Sequence, residues 1–165
     1  MRALYRLKGR EPSNPSALLA PDLDVLFELL PELSGRAVAI ARTLLPGPYT
    51  LVLPNPARRF GWLAGRTPDA IGVRVPQLPE PTAQIVRDAG AVAATSANLP
   101  GGPEPARLRD VPEQLKNAVA LVVDGGDLPG VASTVVDFAS SPPRVLREGT
   151  ASGEEAIARA RAATA

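Results

Sequence analysis

Strand-like apolar runs closed by proline, set between stretches of helical period, predict an α/β fold in which helices pack on one sheet. Three observations carry this prediction. The runs "YTLVL" (49–53) and "AIGVRVP" (70–76) each end at a proline, which cannot donate to a continuing ladder. Around them lie segments with apolar residues on one helical face, such as Leu23, Leu26, Phe27 and Leu30. A hairpin-like succession of short β-branched runs follows near the end of the chain, which makes the sheet mixed. No repeat, linker or composition break interrupts the 165 residues, and the 19 prolines fall at element ends, so a single domain is expected.

The elements follow in order. Residues 1–7 read as the last turns of a helix, stopped by Gly9 and the Pro12/Pro15 pair. "SALLA" (16–20) is a buried strand or a piece of helix, which period alone does not separate. Residues 22–33 and 35–45 are two helices, the second cut by "PGP". "YTLVL" and "AIGVRVP" are strands, a helix covers 81–89, and "AVAATSAN" (91–98) is a strand running into a polar loop. Residues 108–117 are helical in character. "VALVVDGG" (119–126), "ASTVVDF" (132–138) and "RVLREG" (144–149) are three further strands. Residues 152–163 form an Ala/Glu/Arg helix whose Ser-Gly-Glu-Glu start suits an N-terminus.

Composition excludes whole classes of chemistry. With no cysteine there is no disulfide, thiolate nucleophile or sulfur-ligated metal. With no histidine there is no Ser-His-Asp triad, histidine-liganded zinc or histidine acid/base. What remains is Arg, Lys, Ser, Thr, Asn, Tyr and carboxylates, a set suited to phosphate chemistry. Lys+Arg is 18 against Asp+Glu 17, so any cationic surface must be local. The opening is one, because Arg2, Arg6, Lys8 and Arg10 all precede the first acid, Glu11. No apolar run approaches membrane-spanning length and residues 1–10 carry no signal-peptide core, so a cytoplasmic protein without membrane partners is expected.

Several residues have two readings. Lys8-Gly9-Arg10 is either a set of cations on a helix C-terminus or an anion site, with Asn14 fixed nearby between prolines. "ATSAN" (94–98) delivers Thr95, Ser96 and Asn98 at a strand end, where they close a turn or meet a ligand. Arg74 stands between two valines in a strand that should be buried, so it needs an anionic partner, either a structural carboxylate or a ligand. "DGG" (124–126), "STVVD" (133–137) and "LREG" (146–149) are weaker signals whose value lies in their joint order.

"LYRLKGREPSNP", "LLPGPYTLVLP", "IGVRVP", "ATSANLPGGP", "VVDGG", "STVVD" and "VLREG" resemble, in register, the YrdC family of threonylcarbamoyl-AMP synthases. The resemblance implies a YrdC-like domain over residues 1–149, with 150–165 as a C-terminal helix of the same domain. It implies an open twisted sheet with a cationic concave face. It also implies condensation of L-threonine, bicarbonate and ATP to threonylcarbamoyl-AMP and pyrophosphate, with Mg2+ accompanying ATP. A threonylcarbamoyl-transferase complex downstream would then modify adenosine 37 of tRNA. By motif position, Lys8 and Arg10 become the catalytic pair on the ATP phosphates. Asn14, Asn98 and Arg147 join them on the nucleotide, while Arg74, Ser96 and Ser133 hold threonine.

There are departures from the family pattern. Members carry an upstream strand and helix with a Pro-Thr-x-Thr-x-Tyr-Gly-Leu element that is not found here. The resemblance thus implies a longer natural protein and much reduced activity for these 165 residues. Leu19, Ala70 and Ala106 replace a frequent histidine, threonine and Ser/Thr. A non-catalytic RNA-binding relative is the alternative, although near-neutral charge weighs against strong RNA affinity. A hydrogenase-maturation carbamoyl-transfer domain is a distant third, because its zinc fingers need the missing Cys and His.

Overall fold

Alternation decides which face of each strand goes inward, and it does so consistently along the chain. In the computed structural model, which describes residues 2–11 and 13–165, six strands form one sheet in the order β4-β1-β3-β2-β5-β6. The strands are β1 (Ala17–Leu19), β2 (Tyr49–Pro54), β3 (Ala70–Arg74), β4 (Val92–Ala94), β5 (Thr134–Asp137) and β6 (Arg144–Arg147). β1 pairs parallel with β3, and β2 parallel with β5; the other neighbours are antiparallel. The sheet is mixed, as the sequence predicts.

The helices are α1 (Arg2–Lys8), α2 (Leu23–Leu29), α3 (Gly35–Leu44), α4 (Thr82–Ala89), α5 (Glu113–Lys116) and α6 (Gly153–Ala163). Leu18, Leu51, Leu53, Ile71, Val73 and Val136 point to one face, where they meet Leu26, Ile40, Leu44 and the alanines Ala156 and Ala160 of α6. These small residues let α6 sit close, and Arg159 donates to the Thr43 carbonyl (2.7 Å) in the last turn of α3, where a cation suits the helix dipole. α2 starts where the Asp22 carboxylate accepts from the Val25 amide (2.8 Å), and α6 where the Ser152 hydroxyl accepts from the Glu155 amide (3.2 Å). The alternate residues Ala17, Thr50, Val52, Ala70, Gly72, Ala94 and Val135 line a cavity on the opposite face.

Two predicted elements change. Residues 108–117 are not one helix: a 3-10 turn at Leu108–Asp110 precedes α5, because Pro112 cannot donate within a continuous helix. Residues 119–126 form no strand, although their β-branched run predicts one. No ladder partner lies beside them, and Leu121 is 73% exposed, with Val119, Val122 and Val123 also open to solvent. Propensity without a neighbour is not enough to make a strand. Leu121→Ser is accordingly expected to change unfolding free energy by less than about 0.5 kcal/mol in urea titrations. Met1, expected within the last turns of a helix, and the loop proline Pro12 lie outside the described residues.

Candidate functional site

The sheet face opposite the core that α3 and α6 cover opens into a cavity of about 720 Å³. Arg10, Arg74, Ser96, Ser133 and Arg147, all singled out from sequence, line it together.

Arg10 arrives from the loop after α1. Its guanidinium donates to the Thr95 hydroxyl (3.0 Å) and the Pro15 carbonyl (2.9 Å), and lies 5.9 Å from the Tyr5 ring centroid. The same Tyr5 hydroxyl donates to the Asn14 carbonyl (3.0 Å) and lies 3.3 Å from the Ser16 hydroxyl, so one buried tyrosine fixes the whole loop. Gly65 completes that packing. It has φ +62, and an added Cβ would meet the Ser13 carbonyl and lie 3.0 Å from Pro15 N.

Arg147 reaches the cavity through a bulge. Asp137 pairs with Arg144 and Val136 with Val145, but Val135 pairs with Arg147, leaving Leu146 as an extra residue. A regular ladder would set Arg147 opposite Thr134, on the core side; the bulge turns it to the cavity side. There Arg147 Nε and Nη2 donate to the Ser133 carbonyl (3.1 and 2.9 Å), and Ser133 Oγ sits 2.8 Å from Thr50 Oγ1.

Arg74 is different. It follows Gly72 on the cavity side of β3, and its buried Nε has no hydrogen-bond partner among the described residues. Burial, and then the neighbouring charge of Arg147, lower its pKa from the ordinary arginine value, while Glu104 works the other way. A buried guanidinium donor with no acceptor is costly to keep in a fold unless something anionic is meant to meet it.

Three predicted residues sit outside the cavity lining. Lys8 is buried, and its ammonium donates to the carbonyls of Ser96 and Asn98 and to Asn98 Oδ1 (3.2 Å). Burial, then the charge of Arg10, lower its pKa. Asn98 also accepts from the Ser96 hydroxyl (2.6 Å) and donates to the Gly102 carbonyl (2.8 Å). Lys8 and Asn98 therefore brace the loop that presents Ser96. Asn14 is exposed, with its carbonyl on Tyr5.

Sequence reasoning missed Thr50, Thr67, Asp69, Glu104 and Arg144, which also line the cavity. Thr50 had a legible signal, because it alternates against the leucines of β2. Asp69 is paired with Arg58 (2.7 Å) and Asp137 with Arg144 (3.2 Å). Burial alone would raise the Asp137 pKa, but donors from Ser140 (2.6 and 3.1 Å), Arg144 and Ala139 (2.9 Å) outweigh it and hold it below the ordinary value. The folded value lies below the unfolded one, so this stabilisation is complete above about pH 4 and is lost as pH falls through the folded pKa. Asp137→Asn should therefore cost about 1–3 kcal/mol at pH 7, with the gap to wild type narrowing toward pH 2 in urea melts.

Residues 1–149 match the Sua5/YciO/YrdC family model, described as "Telomere recombination". Threonylcarbamoyl-AMP synthase of Pyrococcus abyssi is 32% identical over 90% of this chain and 44% of its own. The Bacillus subtilis enzyme of that name is 31% identical over 94% and 45%. The chain thus spans less than half the length of these relatives. A crystal structure of P. abyssi Sua5 complexed with L-threonine superposes with a TM-score of 0.82 at 31% identity, covering 96% of this chain and 46% of that one. Escherichia coli YciO superposes at 0.77 with 26% identity, covering 92% and 74%. Motif order, the mixed six-stranded sheet and the family match agree: the chain belongs to the Sua5/YciO/YrdC family.

Proposed function

We propose that this chain carries the adenylate-forming centre of a threonylcarbamoyl-AMP synthase. The observation that carries the reading is Arg74, a guanidinium in the cavity lining whose buried Nε has no hydrogen-bond partner among the described residues. The threonine carboxylate is the acceptor it lacks. Ser96 and Ser133 flank the amino acid, and Arg10 and Arg147 face the triphosphate from opposite ends of the sheet. Lys8, Asn14 and Asn98 serve the nucleotide through the loops they stiffen. The likeness to a structure complexed with L-threonine supports the assignment.

The chemistry needs no histidine or thiol. Threonine amine and bicarbonate lose water to give a carbamate. A carbamate oxygen then attacks the α-phosphorus as the bond to pyrophosphate breaks, giving threonylcarbamoyl-AMP. The protein holds the reactants in line and offsets charge on the departing pyrophosphate. Mg2+ enters as the nucleotide's counter-ion. Among the described residues no cluster of three acids forms a protein cage, which suits an ion held mainly by phosphate oxygens and water. The product passes, in this reading, to a transferase complex acting on tRNA in the cytoplasm; no described helix is long and apolar enough to cross a membrane.

The test is pyrophosphate release from ATP. It should require both L-threonine and bicarbonate and yield threonylcarbamoyl-AMP by mass. Release indifferent to threonine would refute the assignment.

A further inference from the structure

Of the acids lining the cavity, Asp69 and Asp137 are neutralised by Arg58 and Arg144, and Glu104 is not. Among the described residues Glu104 makes no ion pair or side-chain hydrogen bond. The Lys8 donors go instead to the Ser96 and Asn98 carbonyls and to Asn98 Oδ1. Glu104 is half-buried, lines the same cavity as Arg74, and also lines an adjoining 390 Å³ cavity, so it stands where the two meet.

Its backbone is tethered. Asn98 holds the Gly102 carbonyl (2.8 Å), and the Leu128 amide donates to the Ala106 carbonyl (2.8 Å). Gly130, at φ +65, lets the opposing chain come close: a Cβ there would lie 3.1 Å from the Ala106 Cβ. A carboxylate with no ion pair among the described residues, on a tethered segment, shares one cavity with an arginine whose buried Nε lacks an acceptor, and the two give the cavity a negative and a positive pole.

We propose that Arg74 and Glu104 together read the zwitterion of an α-amino acid, Arg74 taking its carboxylate and Glu104 its ammonium. Glu104 is then a specificity residue that rejects hydroxy acids and other carboxylates lacking an amine. The influence of Glu104 on both Arg74 and Lys8 agrees with a carboxylate whose field spans this part of the cavity. The inference rests on the amino-acid reading of the cavity.

The experiment is calorimetric titration of the whole chain with L-threonine and with 3-hydroxybutyrate, which keeps the carboxylate and hydroxyl but lacks the amine. The parent should favour threonine, and Glu104→Gln should weaken threonine about ten- to a hundredfold while leaving 3-hydroxybutyrate unchanged. Glu104→Asp, which keeps the charge, should recover part of the loss. Equal weakening of both ligands would make Glu104 a structural counter-ion and overturn the proposal, as would undiminished discrimination in Glu104→Gln. The two readings also fail separately. Amine discrimination that depends on Glu104, without threonine-dependent pyrophosphate release, upholds the zwitterion site and sinks the synthase. Release with discrimination intact in Glu104→Gln does the reverse.

Discussion

Arg74→Met is expected to give a protein that is more stable than its parent and unable to hold its substrate. The stability gain follows from the orphaned Nε: a buried charged donor without an acceptor carries its desolvation penalty into the folded state, and Arg147 adds repulsion. A methionine fills similar space beside Gly72 without either burden, so a gain of roughly 1–3 kcal/mol is expected in urea unfolding. The functional loss follows from the same atom. Removing one partner of a desolvated, hydrogen-bonded charge pair costs about 2–5 kcal/mol, which is roughly thirtyfold or more in threonine affinity. The two halves must appear together. A destabilised Arg74→Met would mean that the guanidinium has a protein partner and that Arg74 is structural.

Gly149→Ala should do the opposite, lowering stability and disarranging the site. An added Cβ would overlap the Ala132 carbonyl oxygen and lie 2.5 Å from Ser133 C and 2.6 Å from Thr134 N. All three are backbone atoms, so no side-chain rotation relieves the clash. The chain after β6 has to lift off β5, and the Thr150 amide bond to Ala132 (3.1 Å) goes with it. Overpacking of this kind costs about 1–3 kcal/mol. The Ser133 carbonyl that holds Arg147 moves as well, so nucleotide affinity should fall with stability. Thermal melts and ATP titrations of the one variant check both. Wild-type ATP binding in Gly149→Ala would show that the Ser133–Arg147 contact does not organise the nucleotide contacts proposed for the cavity.

Much of the fold was legible because proline and alternation are local signals with few competitors. Pro54 and Pro76 closed two central strands, and Leu51, Leu53, Ile71 and Val73 marked their buried face without any knowledge of neighbours. Residues 119–126 misled because the same residue types need a partner strand, which local sequence does not report. The bulge at Leu146 was equally invisible, since it depends on how β6 meets β5. Arg74 announced itself as a cation among valines. On residue type Lys8 and Asn98 had both a structural and a ligand reading, and the family resemblance put them on the nucleotide; in the fold their polar atoms engage the 96–102 loop and brace the short segment that delivers Ser96. Glu104 gave no signal at all, since its significance comes from the pairing of Asp69 and Asp137 elsewhere.

The most direct measurement is a crystal structure of the protein with L-threonine and a non-hydrolysable ATP analogue bound. One connected ligand density should fill the cavity, with the threonine carboxylate on the guanidinium of residue 74 and phosphate oxygens against Arg10 and Arg147. Ligands seated on any other face, with the Arg74 Nε still lacking an acceptor, would contradict a shared anion pocket.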